Sequence, residues 1–278
     1  MSIKYSKVKK HTKTFQRLFG ISVEQFQIIL EKVEPQWQTE VLDAYKRPSR
    51  PYKLEIADMV LMLLLYYRSY ITQMFIGYMF GIDAGRVCRI IQKLEPILAG
   101  IMTINKCKTL TPEEIETLIC DATESPIERP KKRQKLYYSG KKKRHTLKTE
   151  IRITSKGRIV RVSKAYPGST HDFTVLKQEG DLPKDSRLFV DSGYQGIHAI
   201  HPNVDFPYKA TKERPLDDEE KAYNKGLSRC RIMIENVLGD IKVFKILSDR
   251  YRNKRKRYNI KFRIIAGIVN LKNGFAFL

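Results

Sequence analysis

With 278 residues the chain is long enough to bury a full core and to divide into one large domain and a small one. Its 53 Lys and Arg outnumber 30 Asp and Glu, and the net charge of +23 exceeds what solubility requires, so a polyanion, nucleic acid first, is the expected partner. Cysteines scattered at 88, 107, 120 and 230 exclude a disulfide framework or a C-x-x-C zinc site and point to a reducing compartment, and the longest apolar run, Met59 to Tyr67, falls short of the ~20 residues of a membrane span. No signal peptide or membrane anchor is visible.

Residues 1–50 read as an N-terminal helical and basic segment with a lysine-rich, loosely packed or disordered start. Within it, Ser22 to Val33 is a short amphipathic helix: Ser22 can cap it, and Phe26, Ile29, Leu30 and Val33 share a face. Tyr45 to Tyr52 is a loop whose Lys46, Arg47 and Arg50 suit contact with phosphates.

Residues 51–110 form a small all-helical domain: a helix from about Leu54 to Tyr67, another from Thr72 to Phe80, a Gly81-Ile82 turn, and a third helix from Asp83 to about Leu98. Helix, tight Gly turn, helix is the helix-turn-helix pattern. Asp83 is its N-cap, Val87, Ile90, Ile91 and Leu94 its core face, and Arg86, Arg89 and Lys93, at spacings of three and four, one exposed basic stripe. An ordinary helical hairpin with a solvated cationic face has the same spacing; the charge of the whole chain favours DNA. The change of character across Ala99 to Thr111 marks the domain boundary.

Residues 111–278 read as the second, α/β domain. A short apolar run, Leu118 to Cys120, ends on Asp121, and Pro126 and Pro130 then force a loop into the cationic segments Lys131–Lys135 and Lys141-Lys142-Lys143-Arg144. Interrupted by Tyr137 and Tyr138, and close in sequence to a carboxylate, these suit clamping of a DNA backbone beside a cleavage centre. A solvated loop or a localisation signal is the plainer alternative. Leu147 to Thr154 and Gly157 to Ala165 make a hairpin turning at Ser155-Lys156-Gly157, and Gly168 to Asp172 opens a helix capped by Ser169 or Thr170. A second strand delivers Asp191 before a Ser-Gly turn. Beyond a loop with one short strand come an acid-first long helix from Leu216, the basic run Arg250 to Arg257 and a last apolar helix, Ile260 to Val269. His198 and His201 stand three apart, with no further Cys or His nearby to complete a zinc site.

The long helix carries Glu235, with Leu227, Ile234, Leu238 and Ile241 as its apolar stripe. Arg231 and Lys242, four before and seven after Glu235, lie within roughly 60° of it, and Gly239 keeps that stripe low. A surface ion pair of Arg231 with Glu235 is the plainer alternative, but Arg before Glu is the less favourable helical order. Asp121, Asp191 and Glu235 together form a hard oxygen donor set suited to Mg²⁺ or Mn²⁺, and two such ions can drive in-line phosphodiester attack without a side-chain nucleophile. Glu124 and Asp172 read as supporting acids.

The segments Asp121–Pro130, Tyr137–Lys148, Tyr166–Asp172, Asp191–Gly196 and Phe244–Arg252 resemble the DDE-superfamily transposases of the insertion-sequence-five type, over most of the chain from about Tyr52. The resemblance implies an RNase H-like mixed-sheet catalytic domain behind a helix-turn-helix domain. It also implies Asp121, Asp191 and Glu235 as a metal-binding triad, with Arg231 and Lys242 on DNA near the scissile phosphate. The Tyr-x2-Arg-x3-Glu-x6-Lys signature is met except at its first position, which is Ser228 here. The implied activity is cleavage at the terminal inverted repeats of the protein's own element and joining of 3′-hydroxyls to target DNA, by a homodimer or higher oligomer in the bacterial cytoplasm, associated with the nucleoid. An inactive DNA-binding remnant and a metal-dependent nuclease without strand transfer are the alternatives.

Overall fold

Two phenylalanines decide the structure of the lysine-rich start. In the computed structural model, which describes residues 2–44, 51–102, 104, 110–180, 182–210 and 214–276, helices α1 (Tyr5–Val8) and α2 (Thr12–Phe19) replace the expected loose segment. Phe15 and Phe19, four apart, form a helical stripe that is fully buried, and apolar burial outweighs the surrounding charge. In α3 (Val23–Trp37), Ser22 and Gln25 make a reciprocal capping box. The helix runs past Val33 to bury Trp37 and continues as a π-helical turn, Gln38–Leu42. The basic loop with Lys46, Arg47 and Arg50 lies outside the described residues.

Helix α4 (Ile56–Ser69) is buried from Ala57 to Tyr67, so it forms the centre of its unit rather than a surface layer. Thr72 caps α5 (Gln73–Phe80), and Gly81 at φ 69° makes the left-handed turn into α6 (Ala84–Ile101). A side chain there would be strained by the positive φ alone. Asp83 accepts from the Arg86 backbone N–H at 2.9 Å, and Val87, Ile90, Ile91 and Leu94 are buried.

After α7 (Pro112–Ile115) the chain builds a mixed sheet. Its strands are β1 (Thr117–Pro126), β2 (Tyr138–Ser139), β3 (Arg144–Thr154), β4 (Ile159–Val162), β5 (Tyr166–Pro167), β6 (Arg187–Phe189) and β7 (Val204–Asp205). The order is β2-β3-β1-β6-β7, with β4 and β5 also paired to β3; β1 runs antiparallel to β3 and parallel to β6. Helix α8 (Gln134–Tyr137) lies between β1 and β2, and α9 (Asp172–Glu179) follows β5. The β3–β4 turn falls at Ser155-Lys156-Gly157, with the Gly157 N–H donating to the Thr154 carbonyl at 2.9 Å. The cap of α9 is His171, without a side-chain bond; Ser169 is occupied elsewhere, donating to the Leu136 carbonyl. One face of the sheet packs Leu118, Cys120, Val160, Leu188 and Val190 against Leu176, Tyr194 and Ile197.

Helix α10 (Asp218–Lys242) opens with reciprocal bonds between Asp217 and Glu220. Its residues Leu227, Ile234, Leu238 and Ile241 are buried. The chain closes with α11 (Lys245–Ser248) and α12 (Tyr258–Lys272). It divides into two compact units, residues 1–103 with 242–249 and 255–278, and residues 104–241 with 250–254. The sequence spans 1–50, 51–110 and 111–278 are contiguous, whereas these units interleave, because α12 packs on α6. Among the described residues no helix is long and apolar enough to cross a membrane.

Candidate active site

Strand register brings the two aspartates together. Parallel pairing of β1 with β6 matches Leu118 to Leu188 and Ile119 to Phe189, and two residues further along each chain stand Asp121 and Asp191. Side-chain alternation puts both carboxylates on the face opposite Leu118, Cys120, Leu188 and Val190. The expectation that Asp121 ends its strand is corrected: β1 continues to Pro126, held by its long ladder with β3. Only the second chain stops, because Asp191 caps the turn Ser192–Tyr194 and accepts from the Ser192 N–H at 2.6 Å. A Cβ at Gly193 in that turn would lie 2.8 Å from Asp172 Oδ2, so any side chain there would push the Asp172 carboxylate aside.

Burial pushes the Asp121 carboxyl up to about 6, and the nearby negative charges of Asp191 and Asp172 add to this. The Ala122 N–H, at 2.7 Å, and the Arg231 charge oppose it. Arg231, reaching in from α10, places Nη1 3.3 Å from Asp191 Oδ1 and Nη2 3.9 Å from Glu235 Oε1. It therefore joins the helix acid to the strand acid. Glu235 itself is 61% exposed, and among the described residues no three of His, Cys, Asp or Glu stand at metal-holding spacing. Asp121 and Asp191, crowded carboxylates with surplus negative charge, nonetheless fit a hard divalent cation.

The raised proton affinity has a measurable consequence. Between the ordinary Asp value of 3.8 and about 6 the folded state binds more protons than the unfolded chain, so the metal-free protein is expected to lose stability as pH rises through that window. Asp121→Asn should remove this loss. Urea midpoints of both proteins across the window test it, and an identical pH dependence in the two would place the titration elsewhere.

Sequence reading missed the groups that hold the acids. Lys148, largely buried on β3, has Nζ 2.7 Å from Asp172 Oδ1 and 3.8 Å from Glu124 Oε1, and donates to the Thr170 carbonyl at 2.6 Å. Thr146 donates to Glu124 Oε2 at 2.7 Å. Glu124 and Asp172 are thus paired to a cation of their own. Beneath the Asp191 turn, Tyr194 donates to Glu150 Oε2 at 3.4 Å, and Arg152 Nε meets Glu150 Oε1 at 3.0 Å, all fully buried. The signal available was a charged Lys-x-Glu-x-Arg alternation inside a strand, which marks buried pairs rather than a solvated face.

The basic residues fall in different places. Lys141, Lys142, Lys143 and Arg144 are exposed on the β2–β3 turn, but Arg144 stands seven residues along β3 from Ile151, the partner of Asp121. That is roughly 23 Å of strand, so the run that adjoins the first acid in sequence does not adjoin it in space. Lys242 ends α10, seven residues or roughly 10 Å of helix beyond Glu235. Gly239 between them has open space around it. Ser228 bonds back to the Asn224 carbonyl at 2.9 Å. His198 is exposed against Phe206 while His201 is buried, so the two histidines diverge.

In the other unit, Arg86 and Arg89 are exposed and Lys93 is half-buried, donating to the Tyr52 hydroxyl at 2.8 Å. All three line one cleft of about 640 Å³ with Tyr52, Lys53 and Ile90.

Residues 120–271 match the family model described as DDE superfamily endonuclease, and residues 52–103 match the one described as helix-turn-helix of DDE superfamily endonuclease. The chain is 37% identical over 274 residues to the "Probable transposase for insertion sequence element IS702" of Microchaete diplosiphon, covering 96% of this chain and 98% of the relative. The "Putative transposase for insertion sequence element IS112" of Streptomyces albus G is 24% identical over 233 residues, covering 83% of this chain and 84% of its own.

Proposed function

We infer what this chain does from one premise: it belongs to the DDE superfamily of endonucleases, and its relatives carry the names of insertion-sequence transposases. It is a DNA transposase that binds the terminal inverted repeats of its own insertion sequence, cuts the phosphodiester at their ends and joins the 3′-hydroxyls to target DNA. The observation that supports this most is the register of Asp121 with Asp191, with Arg231 joining Asp191 to Glu235.

Asp121, Asp191 and Glu235 would hold the divalent cation, Mg²⁺ or Mn²⁺, with the half-buried aspartate pair as its base. When bound, such ions polarise the phosphodiester and lower the pKa of the attacking water or hydroxyl. Arg231 keeps the Asp191 carboxylate turned toward α10 and offers a planar fork to a phosphate. Lys148 offsets part of the charge of Glu124 and Asp172 and holds both carboxylates, so these acids shape the site rather than serve as ligands.

DNA is held elsewhere along the chain. Arg86, Arg89 and Lys93 on α6 dock the element end, and Lys242 meets the backbone near the cut. The Lys141–Arg144 turn, roughly 23 Å along the ladder, grips phosphates about seven base pairs away at ~3.4 Å per pair. Two or more copies act on the two ends of one element, in the cytoplasm where the DNA lies.

The test is a linear duplex ending in the repeats that flank the coding region, incubated with protein, Mn²⁺ and a supercoiled plasmid. Cuts at the repeat boundary together with plasmid-joined products are expected. Cuts without joined products would reduce the activity to a nuclease, and intact substrate would overturn the assignment.

A further inference from the structure

Between β7 and α10 the sheet unit presents two tyrosines to solvent. Tyr208 is 49% exposed and Tyr223 37%, and their ring centroids stand 5.2 Å apart with the planes tilted by 59°, so the pair does not close face to face. Polar bonds rather than burial hold them. The Tyr208 N–H donates to Asn224 Oδ1 at 2.9 Å, and its carbonyl accepts from Asn224 Nδ2 at 3.0 Å, so one side chain of α10 clamps that backbone. The Tyr223 hydroxyl donates to Asp205 Oδ1 at 2.7 Å, and Asp205 in turn accepts from two N–H groups of Arg187. The Asn224 clamp acts on backbone atoms alone, so fixing the loop does not require the Tyr208 ring. What results is aromatic surface on a rigid mount.

The pair sits near the acids by two separate measures. Strands β6 and β7 are parallel, and the Asp205 carbonyl accepts from the N–H of Val190, the neighbour of Asp191, at 3.1 Å. Tyr208 follows Asp205 by three residues, roughly 10 Å of chain at most. Along α10, Arg231, whose Nη1 meets Asp191, stands eight residues or roughly 12 Å beyond Tyr223. Such a span is about three stacked nucleotides at ~3.4 Å each. Lys209, exposed directly after Tyr208, adds a cation for the backbone.

We propose that Tyr208 and Tyr223 form a stacking platform for one unpaired base of the DNA, about three nucleotides from the phosphate to be cut. This rests on the proposed cleavage at the element ends and adds a step to it. A base drawn out of the duplex opens the backbone to the acids, at the cost of its pairing and stacking. The tyrosine rings restore part of that stacking, for any base, because every base has a π-face.

Fluorescence anisotropy with labelled duplexes ending in the element repeat tests it. Each position around the cut, on either strand, is left unpaired in turn by an abasic site opposite. One position should bind wild-type protein about tenfold more tightly than the paired duplex does, because the base is already free to stack. Tyr208→Leu keeps apolar bulk without a ring face; it should lose that gain with an unchanged thermal melt, whereas Tyr208→Phe should keep it. If the wild type cuts the paired duplex at the repeat boundary but no position gives a gain, or the gain survives in Tyr208→Leu, the platform is wrong and the cleavage reading stands. If the paired duplex is neither bound nor cut, the cleavage reading fails and the platform with it.

Discussion

Asp121→Asn and Asp191→Asn are each expected to cut Mn²⁺-dependent strand cleavage by on the order of a hundred- to a thousandfold, the cost of losing one preorganised electrostatic group at a reacting centre. Glu235→Gln should do the same. Each amide keeps the shape of its acid and removes one charge, so the affinity for DNA, carried by the basic surface, should hold within about twofold. Glu124→Gln and Asp172→Asn should retain measurable cleavage, because Lys148 binds both acids and losing one still leaves it the other. Cleavage and binding measured in parallel on all five variants decide the matter. Full activity in Glu235→Gln would remove that acid from the centre and leave its 3.9 Å approach to Arg231 as a helix ion pair. Complete loss in Glu124→Gln with activity kept in Asp121→Asn would reassign the ligands.

Glu150→Ala is expected to destabilise the sheet unit by about 3–5 kcal/mol, since it removes the carboxylate that the buried Arg152 meets at 3.0 Å. Arg152 also donates to the Gly180 carbonyl at 3.0 Å. The change reaches the site as well. Tyr194, three residues after Asp191, loses the acceptor beneath the turn that aims Asp191, so cleavage should fall even where the protein remains folded. Urea unfolding of Glu150→Ala beside Glu150→Gln tests this: a loss below about 1 kcal/mol in the Ala variant would show that water or a neighbour replaces the carboxylate.

The local elements were legible because their signals are local. Ser22 and Asp83 cap helices whose apolar residues recur at three and four, and the hairpin turns where Ser155-Lys156-Gly157 interrupts alternation. The ends of β1 were not legible in the same way. Where a strand stops depends on how far its neighbour accompanies it, and β3 pairs with β1 as far as Pro126, well beyond the acid. Likewise the cationic run after Pro130 adjoins Asp121 in sequence, but the extended ladder carries it roughly 23 Å away.

By itself, the sequence determined the charge that calls for a polyanion, the helix-turn-helix pattern with its basic stripe, and the acids Asp121, Asp191 and Glu235 as the set to consider. Only the tertiary structure decided that Asp121 and Asp191 share a register, because parallel pairing of β1 with β6 joins segments some seventy residues apart that carry no local trace of each other. It also decided that Lys148 holds the supporting acids and that Glu150 and Arg152 bury a charge pair under Tyr194, since a charged residue in a strand reads as surface until its partner is known. The return of the last helix to the first unit was settled the same way: Glu95 lies inside α6 where no water reaches, and the cations that make its burial tolerable, Arg257 and Lys261, come from the far end of the chain.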